Sequence, residues 1–213
     1  MHFVADFGSV RVGKKLVQYK ADLNATDADG KTPLINAAFK NRTEVAGFLL
    51  RNGADVNFRQ WTYNKPYNFT ALHYAAWKDG HKIAKLILDK EGVQIDTQDD
   101  IGETPLHWTA RASRSASIAK LLINKGANVN AIDNEGKTTL HHLAKHPHGH
   151  SGPYPPRPKI NVDFAKFLLK KGANKTALDN KGMTPLDLAV NCCTLHPNHC
   201  NQPLIDLLNG TDF

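Results

Sequence analysis

The chain repeats itself. The segments DGKTPLINAA, YNFTALHYAA, IGETPLHWTA, EGKTTLHHLA and NKGMTPLDLA align on Thr32, Thr70, Thr104, Thr138 and Thr184. Between and after them run LLRNGADVN, ILDKEGVQID, LLINKGANVN and LLKKGANKT, and an earlier copy, LVQYKADLN, has no clear Thr-Pro-Leu partner upstream. A period of about 33 residues restricts the fold severely. One such unit is too small to bury both faces of its own helices, so each must complete the core of the next.

Within a unit the residues read as helix, turn, helix and extended connector. Threonine before proline supplies an N-cap hydroxyl followed by a residue that loses nothing at the first helical position. Leu34, Leu72, Leu106, Leu140 and Leu186 then open an apolar face continued by Ala37, Ala75, Thr109, Leu143 and Ala189. In the second helix Val45, Phe48 and Leu49 recur at three- and four-residue steps, as do Ile83, Leu86 and Ile87, and Ile118, Leu121 and Leu122. Gly53, Gly126 and Gly172 follow, where a left-handed C-terminal residue is expected.

These phrases resemble the ankyrin repeat over roughly Ala21 to Leu208. The resemblance implies an all-α solenoid of stacked helix-turn-helix units with β-hairpin-like fingers. About six units are expected in a single domain spanning 1–213: a degenerate N-terminal unit at 1–28, then 29–66, 67–100, 101–134, 135–180 with a long inter-helix insertion, and 181–213 with another. His73 and His107 match the family's histidine after leucine and are read as packing residues, with Asn36 and Asp187 taken to stand in its place elsewhere. The resemblance also makes Asn57 and Asn130 candidates for asparagine hydroxylation.

By the same resemblance, the column at the end of the first helix, Phe39, Trp77, Arg111 and Lys145, lies on a concave face beside the fingers. The insertion FRQWTYNKPYN adds Trp61 and Tyr63 to a projecting loop, where aromatic rings offer large rigid contact area. Phe39, Trp61, Tyr63, Trp77, Arg111 and Lys145 are therefore the expected partner-binding residues. The competing reading has Trp77 merely packing against the finger that carries Trp61. Solvent exposure separates the two.

Two further insertions, HHLAKHPHGHSGPYPPRPKINVD and NCCTLHPNHC, fall at equivalent turns of adjacent units and are expected to be neighbours. The second holds all three cysteines. Cys193, His196, His199 and Cys200 offer ligands for a structural zinc, although their spacing matches no standard finger. An unliganded thiol and imidazole surface and a local or vicinal disulfide stand as the other readings.

Charge and motifs narrow the function. The net charge of +7 is concentrated in 141–180, and residues 157–175 supply Arg157, Lys159, Lys166, Lys170, Lys171 and Lys175 as a lesser, nucleic-acid-binding reading. No phosphate-binding loop, dinucleotide fingerprint or G-x-S-x-G elbow occurs. The expected role is protein-protein interaction, not catalysis, with no required cofactor. A substrate-recruiting or targeting part of an enzyme system is the alternative. With no apolar stretch of spanning length and three clustered cysteines, a monomeric scaffold in an intracellular, reducing compartment, cytoplasmic or nuclear, is expected.

Overall fold

Apolar residues at helical spacing, punctuated by threonine caps and glycine stops, produce short helices in pairs. The computed structural model describes residues 1–61, 67–112, 116–144, 158–195 and 200–210, the side chains of 158–161 excepted. Among these residues the helices are α1 (His2–Phe7), α2 (Val10–Gln18), α3 (Pro33–Phe39), α4 (Thr43–Arg51), α5 (Ala71–Trp77) and α6 (His81–Leu88). They continue as α7 (Pro105–Ala112), α8 (Ser117–Asn124), α9 (Thr139–Ala144), α10 (Pro158–Lys170), α11 (Pro185–Leu195) and α12 (Gln202–Asn209).

The odd-numbered helices pack one against the next from α1 to α11, forming one layer. In the other, α2 packs on α4, α4 on α6, α6 on α8, and α10 on α12. Between the layers lies one continuous core. Leu34, Leu72, Leu106 and Leu140 from the first helices meet Leu49, Ile83, Ile87, Ile118, Leu122 and Leu168 from the second, all of them buried. Each such side chain contributes about 1.5–3 kcal/mol on removal from water. The small residues Ala37, Ala75, Thr109 and Ala189 are buried too, which lets adjacent helices approach closely.

The first unit lacks the Thr-Pro-Leu phrase but not the architecture. His2 Nε2 lies 2.9 Å from the Lys31 carbonyl oxygen, and α1 packs on α3. Gly53, Gly126 and Gly172 take φ values of 90°, 100° and 87°, as the sequence leads one to expect after a helix.

Each connector folds back on an aspartate. One oxygen, Oδ1, of Asp27, Asp99, Asp133 and Asp179 accepts the backbone N–H groups of the residues two and four positions on. This closes the finger as a turn, and no strand forms among the described residues. Successive fingers then bond to each other. Asn134 donates its backbone N–H to Ile101 O at 3.0 Å and its Nδ2 to Asp100 O at 3.1 Å, and Asn180 repeats both bonds to Glu135 and Asn134. Gly102 (φ 79°) sits beneath Asn134 so closely that a β-carbon would press on the Asn134 backbone nitrogen.

In the second finger the aspartate is replaced by Gln60. Its N–H donates to Phe69 O at 2.8 Å, and Asn68 N–H donates to Gln60 O at 2.9 Å, closing the base of the inserted loop. Gln60 Nε2 reaches back to Asp29 O at 2.7 Å. The insertion is thus fastened at its base to the finger before it.

Candidate interaction face

The register of the first helices decides which side chains meet beside the fingers. His73 Nδ1 accepts the Thr70 backbone N–H at 3.1 Å, and His107 and His141 do the same for Thr104 and Thr138 at 3.0 Å. A nitrogen that accepts carries no proton, so Nε2 carries it. That nitrogen lies 3.2, 3.1 and 3.1 Å from the carbonyl oxygens of Glu103, Lys137 and Met183, each in the following unit. Burial holds His73 and His107 at about 4, far below an ordinary imidazole. These histidines are neutral pins between units.

The histidine's position in the other two units is filled by Ile35 and Asp187, not by Asn36. Asp187 caps Thr184 directly, accepting its N–H at 2.8 Å and its hydroxyl at 2.7 Å. Asn36 stands one residue further on, in register with Tyr74, Trp108, His142 and Leu188. There it donates to Asp27 Oδ2 at 2.7 Å, as Trp108 Nε1 does to Asp99 Oδ2 at 2.8 Å and His142 Nε2 to Asp133 Oδ2 at 2.9 Å. Counting three residues from the threonine, rather than matching polar residue to histidine, would have given the right register.

Burial pushes the Asp99 carboxyl up to about 6 even though the Trp108 indole bonds it. Burial also acts to raise Asp133, but the His142 and backbone bonds outweigh it and hold that carboxyl below the usual range. Tyr74 fills the same place beside Gln60, donating its hydroxyl to Oε1 at 2.7 Å, and burial raises its phenol.

Above this polar row lies an aromatic one. Trp77 contacts Phe39, Tyr74 and Trp108, with ring centroids 6.2, 6.2 and 5.9 Å away. Phe39 also meets Tyr74 edge-on at 5.4 Å, and Phe69 meets Trp108 at 5.0 Å. Trp77 nonetheless keeps 39% of its surface exposed, and Trp61, immediately after the fastened Gln60, keeps 59%. Among the described residues Trp61 is not a ring partner of Trp77, so Trp77 does not pack against that side chain. Lys78 Nζ stands 4.1 Å from the Trp77 ring centre and 4.6 Å from that of Phe39.

Arg111 continues the Phe39–Trp77 column but points its charge inward. It forks onto buried Glu103 at 2.7 and 2.9 Å and lies 4.8 Å over the Trp108 ring. Sequence reasoning singled out Arg111 and missed Glu103, whose only signal was its place before Thr104. Glu103, Asp133 and His142 place ligand atoms within 4.8 Å of one another. Arg111 already neutralises Glu103, and His142 already bonds Asp133, so the group is closed on itself.

Tyr63, Lys145, His196 and His199 lie outside the described residues, as do the histidine- and proline-rich stretch 145–157 and the turn 196–199. Cys193 and Cys200 are joined in a disulfide, and Cys192 is a free, half-buried thiol. A sulfur so bonded has no thiolate to offer a metal. The disulfide and the expected reducing compartment pull in opposite directions.

Helix pairs stacked in two layers, pinned through histidine to carbonyl and bonded finger to finger, define a helical repeat protein. The family pattern described as ankyrin repeats (3 copies) matches residues 1–99 and 82–152, and the chain belongs to the ankyrin-repeat family. Inversin of Gallus gallus is 34% identical over 123 residues, 57% of this chain and 11% of that protein. Transient receptor potential cation channel subfamily A member 1 of Homo sapiens is 32% identical over 130 residues, 57% and 11%. Alpha-latrotoxin-Lg1a of Latrodectus geometricus is 30% identical over 114 residues, 52% and 8%. The chain spans about a tenth of the length of these relatives. Ankyrin repeats are in general protein-protein interaction modules. No helix among the described residues is long and apolar enough to cross a membrane.

Proposed function

We propose that this chain is a non-enzymatic interaction module that takes its partner on the face built from the first helices and fingers. The observation that carries the reading is the exposure of Trp77 and Trp61 on rigid supports. Trp77 is held from three sides by other rings, and Trp61 follows Gln60, whose side chain bonds Asp29 in the finger before it and Tyr74 in the helix after it. Rings fixed in place lose little freedom when a partner arrives, so most of their contact area becomes binding energy. Histidine pins and finger bonds give the same advantage to the whole face.

The test is affinity capture with the purified chain and its Trp61→Ala/Trp77→Ala variant. Trp61 is mostly exposed, but Trp77→Ala gives up packing against three rings, so the variant melts lower and is compared with wild type at a temperature where circular dichroism shows both folded. Loss of the partner recovered by wild type is the expected result. Equal recovery by the folded variant would overturn the placement.

A further inference from the structure

The exposed aromatic row is bordered by cations whose acids are mostly spoken for elsewhere. Asp27 is bonded by Asn36 and two backbone N–H groups, Asp29 by Lys31, Asp99 by Trp108 and Glu103 by Arg111. Lys78 has no acidic partner among the described residues. Its ammonium group rests on the faces of Phe39 and Trp77. A second ammonium, from Lys31, lies 5.1 Å from the same Phe39 ring. Among the described residues, Arg59, exposed on the finger that carries Trp61, donates to the Gln98 carbonyl oxygen alone, at 2.6 Å.

We propose that this face binds an acidic peptide segment carrying an apolar side chain. The apolar group covers the open part of the Trp77 indole, and neighbouring carboxylates pair with Lys78 and Arg59. The inference rests on the interaction reading above and adds the partner's chemistry to it. Complementary charge explains why Lys78 is held over the rings. A ring face lowers the cost of keeping an ammonium partly out of water until a carboxylate reaches it, and a desolvated pair at a contact centre then selects partners by sign.

The same observations disfavour a nucleic-acid strand. Stacking needs a free ring face. Trp77 is flanked by Phe39, Tyr74 and Trp108, has Lys78 over its ring, and is 39% exposed. Such a surface suits an aliphatic or aromatic side chain better than a base.

The experiment pans a random twelve-residue peptide display library on the full chain. Individual binders are then measured against wild type, Trp77→Ala and Lys78→Glu, with a labelled single-stranded oligonucleotide in parallel. The expected pool is rich in Asp and Glu around an apolar residue. Each binder weakens about tenfold or more with Lys78→Glu and on raising salt, and also with Trp77→Ala. A neutral or basic pool, or binders indifferent to Lys78→Glu yet lost with Trp77→Ala, would overturn the acidic chemistry and leave the face standing. Binders indifferent to Trp77→Ala, or no enrichment at all, would overturn both. Tight, Trp77-dependent binding of the oligonucleotide with no acidic peptide pool would replace the peptide by a nucleic acid.

Discussion

His107 Nε2 lies 3.1 Å from the carbonyl oxygen of Lys137, thirty residues further on, while its Nδ1 accepts the backbone N–H of Thr104 at 3.0 Å. One ring therefore starts its own helix and holds the next finger. His73 repeats the arrangement one unit earlier. Protonation would turn the accepting nitrogen into a donor facing another donor.

That geometry sets the acid response. Both rings titrate at about 4 in the folded chain and near 6.5 when unfolded, so the unfolded state binds protons first. Stability is complete above the unfolded value and falls as pH drops from 6.5 towards 4, by roughly 3 kcal/mol per histidine at the lower end. Asp99, raised to about 6, acts the other way over part of this window because its folded form takes up the proton more readily. His141 and Asp133, both lowered, add to the loss, so the net effect of acid remains destabilising. Urea unfolding between pH 7.5 and 4.5 should show midpoints falling with acidification, and His73→Gln/His107→Gln should flatten or reverse the slope. A wild-type profile that is flat or rises with acid would contradict the pinning role.

Much of this architecture was legible because it depends on local chemistry: threonine, proline and leucine at fixed spacing state where each first helix begins. What the sequence did not show was which polar residues meet once the finger folds back. Glu103 stands just before α7 and Arg111 near its end, and their contact depends on both the finger's return and the helix's rotation. His2 was hidden for a different reason. Without a threonine phrase before it, nothing in the sequence marks it as the first pin, although its bond to Lys31 matches the later ones. The disulfide between Cys193 and Cys200 was one of three readings left open by spacing alone, and not the favoured one.

The finger aspartates contain a natural vacancy of chemistry. Asn36, Trp108 and His142 each supply a donor to the second carboxylate oxygen of their aspartate, whereas Leu188 stands at that place beside Asp179. Asp179 Oδ2 is buried and has no hydrogen-bond partner among the described residues. Leu188→His installs the donor used one unit earlier. Since a buried unsatisfied oxygen costs about 1–3 kcal/mol and the half-buried leucine gives back part of that, a net gain of about 1 kcal/mol is expected. A higher urea midpoint with unchanged slope would show it, and an equal or lower midpoint would argue against the shared register.

Two glycines with similar backbone angles should respond differently to alanine. Gly53 (φ 90°) has no atom near its missing β-carbon, so Gly53→Ala carries only the left-handed strain of about 1–2 kcal/mol. Gly102 (φ 79°) has Asn134 against it, and a methyl group there must also push apart two bonded fingers. Gly102→Ala should therefore cost at least about 1 kcal/mol more than Gly53→Ala in thermal or urea unfolding. Equal costs would mean that the fingers separate freely.

The cysteine turn makes a counting prediction. Unfolded in the absence of reductant, the chain should release one titratable thiol, that of Cys192, and three after reduction. Three thiols without reductant, together with stoichiometric zinc lost on Cys193→Ser/Cys200→Ser, would replace the disulfide by the metal site.

Arg111 separates folding from binding. Its guanidinium forks onto a carboxylate that is 2% exposed, while its own side chain is partly open to water. Removing the cation leaves Glu103 charged and buried, whereas removing both charges leaves neither. Arg111→Ala should then destabilise by about 2–3 kcal/mol, less than a fully buried pair would because solvent screens the arginine side. Glu103→Gln/Arg111→Ala should recover part of that loss. If instead Arg111→Ala unfolds like wild type but weakens partner capture, the residue belongs to the interface; if it destabilises and the double variant recovers, its first duty is to neutralise Glu103 beneath the aromatic row.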